Sequence, residues 1–152
     1  MDDRATRRND VSESDGKQAI KPPLKVFLVE DSTLIRERLA EALSSSGRVE
    51  IVGHADDQSS AIAALREAPC DAVVLDLDLK QGNGLEVLKS LRAGKGVRTP
   101  PVVIVFTNYV DPHYRAQSMR LGANFFFDKA RDFDRVREII EKLAVPGGIV
   151  PA

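Results

Sequence analysis

Short apolar runs in this 152-residue sequence end in residues that can do chemistry. The side chains at these ends supply carboxylates, one hydroxyl and one ammonium group: Glu30, Asp31, Asp76, Thr107, Asp128 and Lys129. Carboxylates that converge in a partly buried cleft repel one another unless a cation joins them. A few oxygen ligands with retained water suit Mg²⁺, with Mn²⁺ as a substitute, better than a Ca²⁺ cage, and the sequence shows no Cys/His clustering for Zn²⁺. The residue types therefore predict a divalent-metal site.

Asp76 is the central candidate for a nucleophile. A carboxylate held beside a metal ion can attack phosphorus, because the cation shields the approaching phosphate from the charge of the nucleophile. Lys129 would bring a positive charge to the phosphoryl oxygens, and the Thr107 hydroxyl would donate a hydrogen bond to another of them. Together these residues predict phosphoryl transfer to Asp76.

The elements that must position these side chains alternate along the chain. Short β-branched or aliphatic runs at 25–29, 50–54, 72–75, 102–106 and 124–127 predict five strands, and a segment with apolar residues at helical spacing follows each of them. This alternation is typical of βαβ crossovers and a parallel sheet. Ligands of such sheets bind outside the carboxyl ends of the strands, which is where the reactive residues stand.

Composition predicts one globular domain between two short polar extensions. Residues 1–23 contain five acids and five bases and almost no large apolar side chain, which predicts a flexible tail. The domain is expected over residues 24–145, and residues 146–152 form a short C-terminal tail. Few residues follow the last predicted helix, so we expect a stand-alone domain without an output domain.

Charge and hydropathy exclude several classes of protein. The formal net charge of −1 and the absence of a long basic stretch argue against direct nucleic-acid binding. The longest apolar run, 102–106, is far shorter than the roughly 20 residues that span a bilayer, so no membrane segment is expected. Cys70 is the only cysteine, which excludes an intramolecular disulfide and fits a cytoplasmic location.

Four segments resemble bacterial two-component response-regulator receiver domains. They are LVED ending at Asp31, VVLDLDL around Asp76, VFTN around Thr107 and FFFDK ending at Lys129. Each segment alone is common, but four in this order and at these separations are specific. The likeness spans residues 25 to about 143. It implies an α/β fold with a doubly wound, five-stranded parallel sheet in the flavodoxin-like order 2-1-3-4-5 and helices on both faces.

The resemblance also implies roles for individual residues. Asp76 would be the phosphoacceptor, Asp31 would bind the metal directly, Glu30 would hold it mainly through water, and Asp78 would contribute its backbone carbonyl. The phosphodonor would be a sensor histidine kinase or a histidine phosphotransfer protein. No free enzymatic turnover is expected, only self-phosphorylation and self-dephosphorylation.

Phe126 occupies the position of the aromatic switch residue of the family. Strand alternation predicts that it faces away from Phe125 and Phe127. Phosphate on Asp76 would draw in Thr107, and Phe126 would pack into the vacated space. The surface of the fourth helix and fifth strand would then change for an unknown protein target, and this surface with the fifth helix is also a candidate homodimer face.

Several positions depart from the usual family pattern. Glu30 replaces the commoner Asp, Lys80 stands where Pro is frequent, and Ala130 stands where Pro is usual. Asn108 follows Thr107 at a position where the family usually has Ala or Gly, and Tyr109 comes next. Entry of a phosphodonor or of hydrolytic water would therefore be hindered. We therefore expect slow self-dephosphorylation.

Two other interpretations remain open from the sequence. Asp76 and Asp78 resemble the nucleophile and acid/base pair of haloacid-dehalogenase-like phosphatases, although that family usually places the pair on its first strand and needs a longer chain. The altered positions at Lys80, Asn108 and Ala130 also allow a receiver-like interaction module that does not use phosphate.

Overall fold

Strands and helices alternate throughout the part of the chain that can be described. A computed structural model describes residues 23–94 and 100–145, so the predicted tails lie outside the described residues, apart from residue 23. The elements in chain order are β1 (Leu24–Val29), α1 (Thr33–Ser44), β2 (Val49–Ala55), α2 (Gln58–Glu67), β3 (Ala72–Leu75), α3 (Gly84–Ala93), β4 (Val102–Thr107), α4 (Pro112–Arg120), β5 (Phe125–Asp128) and α5 (Phe133–Ala144).

The five strands form one parallel sheet. Their order is β2-β1-β3-β4-β5, so the expected order is confirmed. β1 and β3 are neighbours in the sheet although α1, β2 and α2 separate them in sequence. The winding reverses at this pair, because the chain moves outward from β1 to β2 and then returns past β1 to β3. The crevice for a ligand in an open parallel sheet lies at such a reversal.

Helices cover both faces of the sheet, which confirms the doubly wound architecture. One apolar cluster joins the sheet to α2 and α3 and includes Ala61, Val87 and Leu88. The other joins it to α1 and α5 and includes Leu39 and Ile140. Burial of a leucine or isoleucine side chain contributes roughly 1.5–3 kcal/mol, so these two clusters supply much of the stability of the fold.

The triple-phenylalanine segment divides between the two clusters. Phe125 and Phe127 pack on the α1/α5 side, with ring centroids 6.0 Å apart, whereas Phe126 belongs to the cluster on the α2/α3 side. The expected alternation along β5 is therefore confirmed. Only Phe126 faces α4, because Tyr114 and Leu121, at the two ends of that helix, pack against the same cluster.

The start of β5 is held by a side chain from α3. The Arg92 guanidinium donates hydrogen bonds to the backbone oxygens of Gly122 and Pro101 and to Oδ1 of Asn124, at distances between 2.8 and 3.1 Å. Asn124 Oδ1 also accepts from the backbone N–H of Val103 at 2.8 Å. Asn124 therefore precedes the strand, and β5 begins one residue later than its apolar pattern predicts.

Within residues 23–94 and 100–145, no helix combines the length and apolar character that a membrane span requires.

Candidate functional site

The register of the sheet brings the reactive residues of distant strands together. Val29 pairs with Leu75, so Glu30 and Asp76 follow adjacent paired positions, and the Asp76 backbone N–H donates to the oxygen of Val29 at 3.0 Å. On the next strands, the Lys129 backbone N–H donates to the oxygen of Thr107 at 2.9 Å. All four side chains therefore arise at the same edge of the sheet.

Lys129 joins two carboxylates at the centre of the site. Its Nζ lies 2.6 Å from Oδ2 of Asp76 and 2.8 Å from Oε1 of Glu30. The three side chains are only 9%, 3% and 3% exposed, respectively. Buried charges are tolerated when they are paired and hydrogen-bonded, and here one ammonium satisfies two acids.

For both Glu30 and Lys129, burial and hydrogen bonding shift the pKa in opposite directions. Burial raises the pKa of Glu30 above its ordinary value, and the hydrogen bonds from Lys129 and Ser32 oppose this rise without cancelling it. Burial alone would lower the pKa of Lys129, but hydrogen bonds to Asp76 and Glu30 outweigh it and raise that pKa overall. Lys129 is therefore a cation at neutral pH.

Three carboxylates of the site fit a divalent metal. Oxygen atoms of Glu30, Asp31 and Asp76 lie within 4.8 Å of one another. Glu30 and Asp76 are buried and Asp31 is exposed, so one side of the group opens to solvent. Hard carboxylate oxygens with room for water match the preference of Mg²⁺, and Lys129 neutralises only part of their charge.

Thr107 lies at the end of β4 and is fully buried. Its Oγ1 accepts a hydrogen bond from the backbone N–H of Tyr109 at 3.1 Å. A hydroxyl that accepts one bond still has its hydrogen to donate. Thr107 therefore still has a hydrogen to donate.

The loop after β3 is shaped around the Asp76 side chain. The backbone N–H of Asp78 donates to Oδ1 of Asp76 at 3.2 Å, and the Asp78 carboxylate is on an exposed residue. Asp78 also forms an isolated bridge with Asn83, which caps α3 by accepting from the N–H of Glu86. The role of the Asp78 carbonyl as a metal ligand stays a prediction.

Asp128 does not join the acidic group, so its inclusion with the other acids was wrong. Its Oδ1 accepts from the backbone N–H of Ala130 at 2.8 Å, and its own N–H donates to Asp132. The carboxylate thus stabilises the turn that leads into α5. A short acidic side chain near a turn often bonds to the backbone two residues on, and that local bond directs it away from the site.

Three contributors to the site were not predicted from the sequence. The backbone N–H of Ser32 donates to Oε2 of Glu30 at 2.9 Å, while the Ser32 hydroxyl caps α1. Arg36 Nη1 donates to the backbone oxygen of Glu30 at 2.9 Å. A Cβ atom on Gly84 would overlap the backbone oxygen of Asp76 and would lie 2.9 Å from Cα of Leu77. The N-cap position of Ser32 is the only one of these features with a sequence signal.

Comparison with known proteins agrees with this geometry. The response regulator receiver domain family matches residues 26–141. The chain belongs to this family. As a receiver domain of two-component response regulators, it has an acidic group, Glu30, Asp31 and Asp76, that fits a phosphoacceptor site. The family match favours neither the phosphatase interpretation nor the phosphate-independent module.

Individual relatives share the domain, and the chain spans less than half the length of one curated relative. The sensory transduction protein LytT of Bacillus cereus is 32% identical over 119 residues, which cover 78% of this chain and 46% of that protein. The receiver domain of the response regulator NarL from Mycobacterium tuberculosis has a TM-score of 0.72 at 26% identity, covering 82% and 98% of the two chains. The phosphorylated cyanobacterial phytochrome response regulator RcpA has a TM-score of 0.71 at 25% identity, covering 86% and 99%.

Proposed function

We propose that Asp76 accepts a phosphoryl group from a phosphohistidine and that this transfer controls a protein-binding surface. The observation that carries the proposal is the Lys129 ammonium, which lies between Asp76 and Glu30 at 2.6 and 2.8 Å. A buried cation at this point supplies part of the positive charge that a phosphoryl group on Asp76 requires. Asp31 is exposed, so the site is accessible from its solvent side.

In the proposed transfer, a carboxylate oxygen of Asp76 forms the new bond to phosphorus. The bond from phosphorus to the donor's imidazole nitrogen breaks, and its electron pair stays on that nitrogen, which leaves a neutral imidazole after protonation. Lys129 shifts its hydrogen bond from the Asp76 carboxylate to the phosphoryl oxygens. The Thr107 hydroxyl donates to another of these oxygens. The Asp78 N–H orients the nucleophile through its bond to Oδ1.

The same carboxylates would hold the metal. Glu30, Asp31 and Asp76 would bind Mg²⁺, or Mn²⁺ in its place, together with the backbone carbonyl of Asp78. A bound divalent ion supplies charge neutralisation for the transferring phosphoryl oxygens and lowers the repulsion between donor and nucleophile. The exposure of Asp31 and the burial of the other two acids fit an ion that keeps part of its water.

The proposed readout is the face formed by α4, β5 and α5. Phosphorylation would draw in Thr107 and move Phe126, which faces α4 from β5. The donor would be a histidine kinase or phosphotransfer protein, and the target a protein that binds this face, with a second copy of the chain as one candidate. RcpA, whose structure was determined in phosphorylated form, supports a phosphoacceptor function for domains of this shape.

Intact-mass spectrometry after incubation with acetyl phosphate and Mg²⁺ tests the proposal. We expect one added phosphoryl group on the wild-type protein and none on Asp76→Ala, because no other carboxylate of the site is bonded to both Lys129 and the Asp78 N–H. The matched control is Asp78→Asn, which alters an exposed acid two residues away and should retain phosphorylation.

The Asp78→Asn control also distinguishes a phosphoacceptor from a phosphatase. A phosphatase would lose turnover in Asp78→Asn and would release phosphate continuously from simple esters. Addition of phosphate to Asp76→Ala, or no addition to the wild-type protein with Mg²⁺ present, would contradict the proposal.

A further inference from the structure

The β3–α3 loop, residues 78–83, borders the proposed metal site and is mostly exposed. It begins at Asp78, whose backbone N–H donates to Oδ1 of Asp76 at 3.2 Å. Leu79 is buried, whereas residues 80–83 are all exposed. An exposed loop gains little from apolar burial, so its conformation depends on the hydrogen bonds that hold it.

Hydrogen bonds tie the β3–α3 loop to the junction between β2 and α2. The Lys80 backbone N–H, which a proline at this position would lack, donates to the oxygen of Asp56 at 3.2 Å. The Gln58 backbone N–H donates to the oxygen of Gln81 at 3.0 Å. The Asn83 backbone N–H donates to Oε1 of Gln58 at 3.1 Å. Gln58, the first residue of α2, therefore holds the loop through both its backbone and its side chain.

The Gln58 side chain also lies against the turn of the loop. Gly82 has a φ of +82°, and a Cβ atom on Gly82 would overlap Oε1 and Cβ of Gln58. Glycine adopts a positive φ at little cost, and its missing side chain leaves the space that Gln58 occupies. The two residues are therefore in close contact, in addition to the hydrogen bond at Asn83.

The hydrogen bond at Asn83 leads back to the metal site. Asn83 lies opposite Asp78 in an isolated antiparallel bridge. The Gly84 N–H closes this bridge by donating to the oxygen of Leu77 at 3.0 Å. A shift of Asn83 would therefore move the backbone of Asp78, which supplies the N–H bonded to Asp76 and the carbonyl proposed as a metal ligand.

We propose that Gln58 is a positioning residue for Mg²⁺ binding, because its side chain holds the β3–α3 loop and with it the backbone of Asp78. The inference rests on the proposed function and deepens it by adding a residue of α2, outside the acidic group, to the determinants of metal affinity. Without the Gln58 acceptor, the loop would spend part of its time in other conformations. The apparent Mg²⁺ affinity would then fall in proportion to the fraction of molecules that stays competent to bind.

Mg²⁺ titrations of Gln58 variants, followed by tyrosine fluorescence, test the inference. The chain has two tyrosines and no tryptophan, and Tyr109 follows Thr107 of the site by two residues. Gln58→Met keeps the length of the side chain but replaces the amide with a thioether, a weak acceptor. We expect this variant to bind Mg²⁺ about two- to tenfold more weakly than wild type, the range that loss of one hydrogen bond produces in an equilibrium constant.

Two further variants control for the chemistry of the change. Gln58→Glu keeps an acceptor oxygen for the Asn83 N–H and should retain the Mg²⁺ affinity of the wild-type protein. Gln81→Met makes the same side-chain change as Gln58→Met, but on an exposed residue of the loop that bonds to Gln58 through its backbone oxygen. Gln81→Met should therefore bind Mg²⁺ as wild type does.

Phosphorylation by acetyl phosphate at a series of Mg²⁺ concentrations separates an effect on the loop from damage to the whole fold. Gln58→Met should need about two- to tenfold more Mg²⁺ for half of its maximal rate. Its rate at saturating Mg²⁺ should return to that of the wild-type protein, because the excess ion selects the competent loop conformation.

Several results would overturn the inference. They are wild-type Mg²⁺ affinity in Gln58→Met, an equal loss of affinity in Gln58→Glu or Gln81→Met, and a Gln58→Met rate that stays low at saturating Mg²⁺. Absence of Mg²⁺ binding by the wild-type protein would instead contradict the proposed metal site itself. Failure of the inference and failure of the proposed function are therefore distinguishable.

Discussion

Glu30 and Asp31 are consecutive residues in very different environments. Glu30 is 2% exposed and bonded to Lys129 and to the Ser32 backbone, whereas Asp31 is exposed. Burial raises the pKa of Glu30, so this carboxyl keeps its proton at a pH above its ordinary value of 4.5. A protonated Glu30 has lost the charge that attracts a metal.

The raised pKa predicts how Mg²⁺ binding depends on pH. As pH falls toward the ordinary glutamate value of 4.5, Glu30 should take up a proton before an ordinary glutamate would, and Mg²⁺ affinity should fall with it. Glu30→Gln should bind Mg²⁺ more weakly at neutral pH and show a flatter dependence on pH. Mg²⁺ titrations followed by tyrosine fluorescence measure both. If Mg²⁺ affinity depended on pH equally in the wild-type protein and in Glu30→Gln, this explanation would be contradicted.

Tyr109 bears on the prediction that the site loses phosphate slowly. Its N–H bonds to Thr107, and its ring stacks on Tyr114 with centroids 5.1 Å apart. The negative charge of Asp78 raises the pKa of Tyr109, so the Tyr109 hydroxyl lies close to that carboxylate. Tyr109 thus lies between Thr107 and the exposed Asp78, and we expect its ring to limit access of water from that side.

Removal of the Tyr109 ring should speed dephosphorylation. We expect Tyr109→Ala to lose its phosphoryl group about three- to tenfold faster than wild type, because water reaches phosphorus more often, and tenfold corresponds to about 1.4 kcal/mol of barrier. The decay of phosphorylated protein is measured by intact mass after the donor is removed. His113→Ala, on the exposed side of α4, is the control and should decay as wild type. Loss of the phosphoryl group from the wild-type protein within seconds would contradict the prediction of slow self-dephosphorylation.

At the scale of elements, the closest approach in the site is between the first residue of α3 and the end of β3. Gly84 has no room for a Cβ atom, because the backbone of Asp76 and Leu77 occupies that space. The Gly84 N–H also donates to the oxygen of Leu77 at 3.0 Å. The position of α3 therefore limits where the backbone of the nucleophile Asp76 can lie.

Gly84→Ala should slow phosphorylation by more than a simple loss of stability would explain. The added methyl group must push α3 and the Asp76 loop apart, which we expect to cost about 1–3 kcal/mol and to slow phosphorylation by acetyl phosphate strongly. Gly47→Ala is the matched control, since its φ of +78° strains an alanine but its Cβ meets open space. The control should lose stability and keep its phosphorylation rate. Equal phosphorylation rates in both variants would contradict the steric argument.

At the scale of the whole molecule, Cys70 reports whether the fold opens as one unit. It precedes β3 and packs against the cluster on the α2/α3 side. Burial, with a smaller effect from the charge of Asp71, raises the pKa of its thiol to about 11. Because the thiolate is the reactive form, the folded protein should resist alkylation at mildly alkaline pH.

Iodoacetamide should label native Cys70 about a hundredfold more slowly than the urea-unfolded chain, since two pKa units separate its thiol from the ordinary value of 9.0. Ile140→Ala leaves a cavity in the other cluster, costs about 2–5 kcal/mol, and should raise the labelling rate if the two clusters unfold together. Time-resolved mass spectrometry measures both rates. An unchanged rate in Ile140→Ala would show local opening near Cys70 instead.

The sequence by itself determined the elements and the edge of the sheet at which the chemistry occurs. Apolar runs of strand length alternate with helix-period segments, and these patterns depend on near neighbours in the chain. Once the strands are parallel, all their carboxyl ends lie at one edge, so Glu30, Asp76, Thr107 and Lys129 had to arise there. The alternation of side chains along a strand also determined that Phe126 faces away from its two neighbours.

Only the tertiary structure decided which of these side chains touch. Asp128 has the same residue type and strand-end position as Asp76, yet a bond to its own turn removes it from the acidic group. The Arg115 contact with Phe126 joins α4 to β5, and the approach of Gly84 to Asp76 joins α3 to the end of β3. Their distances depend on how helices pack on the sheet, and no local pattern encodes that packing.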